Sequence, residues 1–288
     1  MIFNERELRM FALSRGGHQA VTHWIEYHAQ IPCMHIQGVF DREKALRNCS
    51  VLRGYTQREC RAELSHTTIT SALDILNGFP YRETFMYSIE LEFSLGEAIQ
   101  ELNQPTERTE LFRGDKGVAR HKYWKRGASR RVYDILILRD PFNWTASRLM
   151  HKNDVLDNPK YIECYKSLCR EILGETNVTE YQLIPILFNE WFLSAEYRAK
   201  IGEKFDLAPG CALPYNDIPW RGGGSSFNKF DYDGKANNMR VLERWQDPRV
   251  AKQLKELIED KELTNMAIQI FGHLHPIETW IETIRDLP

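Results

Sequence analysis

The stretch Arg131-Val-Tyr-Asp-Ile-Leu-Ile-Leu138 constrains the fold more than any other part of the chain. A short apolar run bounded by turn residues reads as a strand buried on both faces, the texture of a parallel sheet. It ends at Arg139-Asp140-Pro141, and a helical pattern begins around Asn143. A strand feeding straight into a helix is half of a βα unit, and such units stack into a sheet covered by helices.

Two further runs fit that plan. Arg9-Met-Phe-Ala-Leu-Ser14 stops abruptly at Arg15-Gly16-Gly17, and Ala20 to Ala29 then carries apolar residues at helical spacing. That is strand, glycine turn, helix. Thr84 to Phe93 suits another strand, with Glu90 and Glu92 near its C-terminal end; alternation puts both carboxylates on one face. Helices are predicted at about 160–173, 185–204 and 247–260, followed by an amphipathic tail at about 262–285. Between them, Pro209, Pro214 and Pro219 lead into the glycine-rich loop Trp220-Arg-Gly-Gly-Gly-Ser-Ser-Phe227. No repeat, low-complexity tract or linker interrupts the pattern, so a single domain over 1–288 is expected.

Composition narrows the function classes. A hydrophobic content of 42% supports a full-sized core, and a net charge of −2 does not suit a protein built to hold a nucleic acid. An anionic ligand must therefore be gripped by a few local positive groups. No stretch approaches the ~20 apolar residues that span a bilayer. The six cysteines include no CxxC pair, so reduced thiols and a cytoplasmic location are expected, with no metal site.

Two places look able to bind phosphate. In the first, Gly16 and Gly17 let backbone amides converge just before a helix start, whose unpaired N–H groups and dipole favour an anion. The plain alternative is a tight turn with Arg15 in water. The loop lacks GxxxxGK[ST], which disfavours a magnesium-dependent kinase or ATPase. In the second, Arg139 at a strand end and Ser147 on the following helix can clamp one phosphate. The alternative there is that Arg139 pairs with Asp140 and Ser147 merely fills a helix contact. Together the two places suit an adenosine phosphorylated at both ends.

At these residues the chain resembles the sulfotransferase superfamily that uses 3′-phosphoadenosine 5′-phosphosulfate. Arg9 to Ala20 is similar to that family's 5′-phosphosulfate loop. Ile137-Leu-Arg139-Asp-Pro141 with Ser147 resembles its 3′-phosphate motif, and Trp220 to Phe227 resembles its late glycine-rich segment. The resemblance implies an α/β, P-loop-type three-layer sandwich with a central, mostly parallel sheet flanked by helices. It implies 3′-phosphoadenosine 5′-phosphosulfate as donor co-substrate, with Arg15, Gly16, Gly17, His18, Gln19 and Ala20 around the 5′-phosphosulfate. Arg139 and Ser147 would hold the 3′-phosphate, and Arg221, Gly222, Gly223, Gly224, Ser225 and Ser226 would wrap the nucleotide. The chain departs from the family in two respects. Arg15 stands where many members have lysine, and His18 and Gln19 replace a usual pair of threonines.

The acceptor, a small molecule, must lose a proton, which calls for a His or Glu within hydrogen-bond reach. Glu90 is the first candidate, with the solvated face of an edge strand as its alternative. His121 lies in a basic loop and His66 in Ser65-His-Thr-Thr. His23 and His28 on the first helix are expected to be packing or surface residues, and His273 and His275 to be structural. If Glu90 and Glu92 face inward, a cationic acceptor such as a guanidinium alkaloid, or another secondary metabolite, is favoured. A P-loop small-molecule or nucleotide kinase and a non-catalytic nucleotide-binding relative are the alternatives to a sulfotransferase.

Overall fold

The structure is a computed structural model that describes residues 3–29, 33–37, 50–52, 81–91, 94–102, 111–114, 117–120, 128–152, 159–213, 216, 218 and 225–287. In chain order the elements begin with β1 (Phe3–Ala12), α1 (His18–His28), β2 (Cys33–Gln37), β3 (Ser50–Leu52), β4 (Tyr81–Glu90) and α2 (Leu95–Leu102). Then come β5 (Leu111–Gly114), β6 (Gly117–Arg120), β7 (Ala128–Leu138), α3 (Pro141–Lys152) and α4 (Pro159–Ile172). The last are β8 (Gln182–Leu187), α5 (Phe188–Leu193), α6 (Ala195–Lys204), α7 (Ala251–Leu257), α8 (Lys261–Phe271) and α9 (Ile277–Asp286).

Among the described residues, six strands form one sheet in the order β3-β2-β4-β1-β7-β8. Every pairing is parallel except β2 with β3 at one edge. Alternation along β1 splits the core in two. Leu8, Met10 and Ala12 pack with Val21, Trp24 and Ile25 of α1 and with Trp191 and Ile201 beyond β8. Phe11 packs on the opposite face with Phe142, Trp144, Leu168 and the C-terminal helices. Two apolar layers around one sheet make the three-layer α/β architecture that the runs of apolar residues predict. Among the described residues no helix is long and apolar enough to cross a membrane. Cys164, Cys169 and Cys211 are buried free thiols.

Two elements differ from the sequence reading. β1 begins at Phe3, well before Arg9, because its charged half is buried and paired rather than solvated. Arg9 Nε donates to Asp134 of β7 at 2.6 Å, both side chains being fully buried. The Glu7 carboxylate accepts from Tyr87 Oη at 2.6 Å and from Ser129 Oγ at 2.5 Å. The segment expected as one helix over 185–204 instead opens as strand β8, followed by two short helices. Pro185 lies within β8, which is tolerated because β8 is an edge of the sheet. Ser194 ends α5 and caps α6, its hydroxyl accepting from the Tyr197 amide at 3.0 Å.

Asp134 also accepts the backbone amides of Glu180 and Tyr181, each at 3.1 Å, so it anchors the approach to β8. Asp134→Ala should take away the buried partner of the Arg9 guanidinium, leaving it the half-exposed Glu180 carboxylate at 3.7 Å, and cost about 3 kcal/mol. Urea unfolding of the variant against the parent measures this, and a loss under about 1 kcal/mol would contradict the account.

Candidate functional site

The parallel strands bring their C-terminal ends to one edge, and the register orders what stands there. Ala12, the last residue of β1, faces Glu90 on β4 and Ile137 on β7. Along the edge therefore run Glu90, the turn Leu13–Gly17, and Arg139. In an open α/β sheet this is where ligands gather.

The turn is tight. Gly16 N donates to Leu13 O at 2.9 Å, and a Cβ on Gly16 would lie 2.9 Å from that same oxygen. Arg15 sits at φ 67 and Gly17 at φ 91, both left-handed. A non-glycine residue held there costs of order 1 kcal/mol or more, and such positions cluster at functional turns. Gly17 caps α1, and no side chain caps the first-turn amides. A Cβ on Gly17 would come within 2.2 Å of the Phe188 ring. Trp144 Nε1 donates to Ser14 O at 3.0 Å, which ties the turn to α3.

Phe188 also stacks beneath the second place, with the Arg139 guanidinium 5.3 Å from its ring centroid. One side chain thus separates the glycine turn from the arginine clamp, so the two lie side by side on the same edge. Arg139 Nη1 donates to Ser147 Oγ at 2.8 Å. Arg139 Nη2 donates to Val241 O. Asp140 does not neutralise Arg139 by an ion pair. Its carboxylate instead accepts from Asn143 N at 2.8 Å, from Asn143 Nδ2 and from Asn189 Nδ2 at 2.9 Å. Burial pulls the Arg139 pKa down to about 10, with Asp140 opposing the shift, so the guanidinium stays charged at neutral pH.

The structure adds arginines that the motifs did not single out. Arg244 Nη1 donates to the same Ser147 Oγ at 2.8 Å, and its Nη2 donates to Ser225 Oγ at 2.9 Å. Burial, then Arg139, then Arg15, hold the Arg244 pKa well below its ordinary value. Arg148, buried on α3, lies with its guanidinium 3.7 Å from the Tyr161 ring centroid. Burial and the charge of Arg148 lower the Arg15 pKa, while Glu90 raises it. Two unit charges about 5 Å apart repel by about 3 kcal/mol at an effective dielectric of about 20. Among the described residues neither Arg139 nor Arg244 has a carboxylate partner, and an anion is the group that relieves such a cluster. Arg244 carries no motif signature, because only the fold brings it back to Ser147.

His18 is buried, with Nε2 3.1 Å from Glu90 Oε1 and 2.8 Å from Gln19 Nε2. The structure therefore places the His18 ring on the carboxylate beside the turn. Glu90 keeps about a third of its side chain exposed. Arg15 Nη2 lies 2.6 Å from Nδ1 of His151 on α3, a histidine the sequence reading did not consider. Ala20 is in the first turn of α1, its amide donating to Gly17 O at 3.0 Å. Ser226 is buried next to Ser225. Arg221, Gly222, Gly223, Gly224, His121, His66 and Glu92 lie outside the described residues. His23 and His28 are buried on α1, and His275 stacks on Trp280 with its pKa lowered by burial. Among the described residues no group of His, Cys, Asp and Glu could hold a metal ion.

No protein-family model and no curated protein matches the sequence. A solved structure similar to this chain is the sulfotransferase domain from the Synechococcus PCC 7002 olefin synthase. The match has a TM-score of 0.47 and 11% identity, covering 86% of this chain and 89% of that one. The α/β architecture and the edge arrangement of this chain stand on its own residues.

Gly17→Ala tests the packing of the turn. It should lose roughly 2 kcal/mol or more, from the strained φ and from the Phe188 overlap. Gly234→Ala is the control, since Gly234 has φ +78 but nothing within 4 Å. It should lose only about 1 kcal/mol. Equal losses in chemical denaturation would show that Phe188 does not press on the turn.

Proposed function

We propose that the protein transfers a sulfuryl group from 3′-phosphoadenosine 5′-phosphosulfate to an oxygen or nitrogen of a small acceptor. The reading is carried by two adjacent cationic places, the glycine turn with Arg15 and the clamp of Arg139 on Ser147, joined through Phe188. A nucleotide with acidic groups at its 5′ and 3′ ends matches that pair. The resemblance in Arg9–Ala20 and in Arg139–Ser147 supports the same donor.

In the reaction, the acceptor's heteroatom forms a bond to sulfur as the bond from sulfur to the bridging 5′-phosphate oxygen breaks. The acceptor's proton passes to Glu90, which stands at the end of β4 against the turn, with the His18 ring on its carboxylate. Negative charge grows on the departing phosphate oxygen, where Arg15 and the uncapped amides of α1 stabilise it. Arginine does not release its proton under these conditions, so Arg15 acts by charge alone. The chain thus works by positioning and electrostatics, with one carboxylate handling the proton. A cationic small molecule, for which a guanidinium alkaloid is our example, is favoured by the pair Glu90 and Glu92, of which Glu92 lies outside the described residues.

Thermal-shift titration with adenosine 3′,5′-bisphosphate against ATP–magnesium tests the donor. Ligand at a hundred times its dissociation constant should stabilise by about 2.7 kcal/mol. We expect that shift with the bisphosphate and its loss in Arg139→Ala. A preference for ATP–magnesium would point to a kinase and overturn the reading. Glu90→Gln should bind the bisphosphate normally and turn over ~100-fold more slowly or worse. An unimpaired rate would remove Glu90 from the proton transfer.

A further inference from the structure

We infer that His18 is a positioning residue for Glu90, its ring donating one N–H to the carboxylate and so holding it ionised and aimed for the acceptor's proton. The inference rests on the donor reading above, which makes Glu90 the proton acceptor. It also moves His18 from the phosphate side of the turn to the acceptor side. The resemblance implies a phosphate contact at this position, where threonine is usual.

Both partners stand on fixed elements. Glu90 ends β4 in register with Ala12 of β1, and the Leu91 amide just beyond it donates to Ala12 O at 2.8 Å. His18 opens α1 directly after the left-handed Gly17. Its side chain is 3% exposed against 36% for Glu90. An incoming acceptor therefore meets the carboxylate and not the imidazole, so His18 acts through Glu90.

The hydrogen bonds assign the proton. His18 Nε2 lies 3.1 Å from Glu90 Oε1 and 2.8 Å from Gln19 Nε2. An ionised carboxylate can only accept, so Nε2 carries the hydrogen. The Gln19 amide, whose two ends have nearly the same shape, then meets that hydrogen with its oxygen. This half-turn gives a partner to Gln19 Oε1, which is otherwise buried without one. His18 Nδ1 is buried and also lacks a partner. A cationic ring would put a second N–H there and orphan it in the interior, so the neutral ring with its hydrogen on Nε2 fits the site.

A donor on the charged form favours ionisation and fixes the oxygen it touches. The acceptor's proton lands on Glu90 and leaves through the exposed part of that side chain, while His18 keeps its own hydrogen throughout. Arg15 faces the same carboxylate from the turn, and the Glu90 charge raises the Arg15 pKa. A threonine hydroxyl sits on the β-carbon, close to its own turn, whereas Nε2 lies at the far edge of the ring. The exchange of threonine for histidine thus carries a donor across to β4.

The test compares the full chain with His18→Phe, which keeps a ring and removes the N–H, and with His18→Gln, which keeps an N–H and removes the ring. Carbon-13 NMR follows the Glu90 carboxyl against pH, its signal identified by its absence in Glu90→Gln. The titration midpoint should rise by about one pH unit in the phenylalanine variant and return towards the parent's in the glutamine variant. Arg15 is present throughout, so its influence cancels. Calorimetric affinity for adenosine 3′,5′-bisphosphate should change less than about threefold in the glutamine variant. His18→Met, flexible and apolar, serves if the phenylalanine variant does not fold. An unmoved midpoint without the N–H, an equal rise in the glutamine variant, or a loss of bisphosphate affinity above about tenfold there would each overturn the inference. The titration needs no nucleotide, so a parent that fails to bind the bisphosphate refutes the donor reading alone, and a risen midpoint still supports the brace.

Discussion

The carboxylate of Asp140 organises the C-terminal edge of the sheet. It sits one residue beyond the arginine that closes β7 and accepts from the backbone and side chain of Asn143 and from the side chain of Asn189. Asn189 Oδ1 in turn accepts the Asp140 amide at 3.1 Å. These contacts set where β7 ends, where α3 starts behind Pro141, and how the segment after β8 is attached. Through Asn143 they reach the Arg244 and Trp245 amides. All three polar side chains are fully buried, so each depends on the others for its hydrogen bonds.

Because Asp140 is engaged this way, it is not the ion-pair partner of its neighbour Arg139. The simplest bland account of the Arg139-Asp140 dipeptide, a local ion pair, is thereby displaced by hydrogen bonds. The cationic character of the edge follows. Arg139 and Arg244 converge on one serine hydroxyl, and their charges, with those of Arg15 and Arg148, act on one another. Like charges held together in this way are locally destabilising, because each guanidinium is repelled by its neighbours. Phe188 links the two places, filling the space that a side chain on Gly17 would occupy and lying beneath Arg139.

Some of this was legible in advance because it is local. The run Ile135–Leu138 is apolar on both faces, the pattern of a strand buried in a parallel sheet. The glycine pair after Leu13 marks a turn whose backbone excludes side chains. The Arg139 and Ser147 spacing is short enough for a strand end and the following helix to bring the two together. The charged half of β1 was not legible, because Glu7 and Arg9 read as surface residues until Tyr87, Ser129 and Asp134 arrive from other strands. β8 was hidden likewise, since an apolar stretch containing Pro185 and running into aromatic helices carries no distinct period.

By itself, then, the amino-acid order determined the alternation of strands and helices, the parallel sheet, and two short motifs suited to anions, since each depends on neighbours within about ten residues. Tertiary structure alone decided which charges are compensated and which are not. Arg9 finds Asp134, His18 finds Glu90, and Arg244 comes back to Ser147 across 97 positions of chain. Pairing between distant side chains is set by strand order and register, and those emerge only when the whole sheet closes on its two cores.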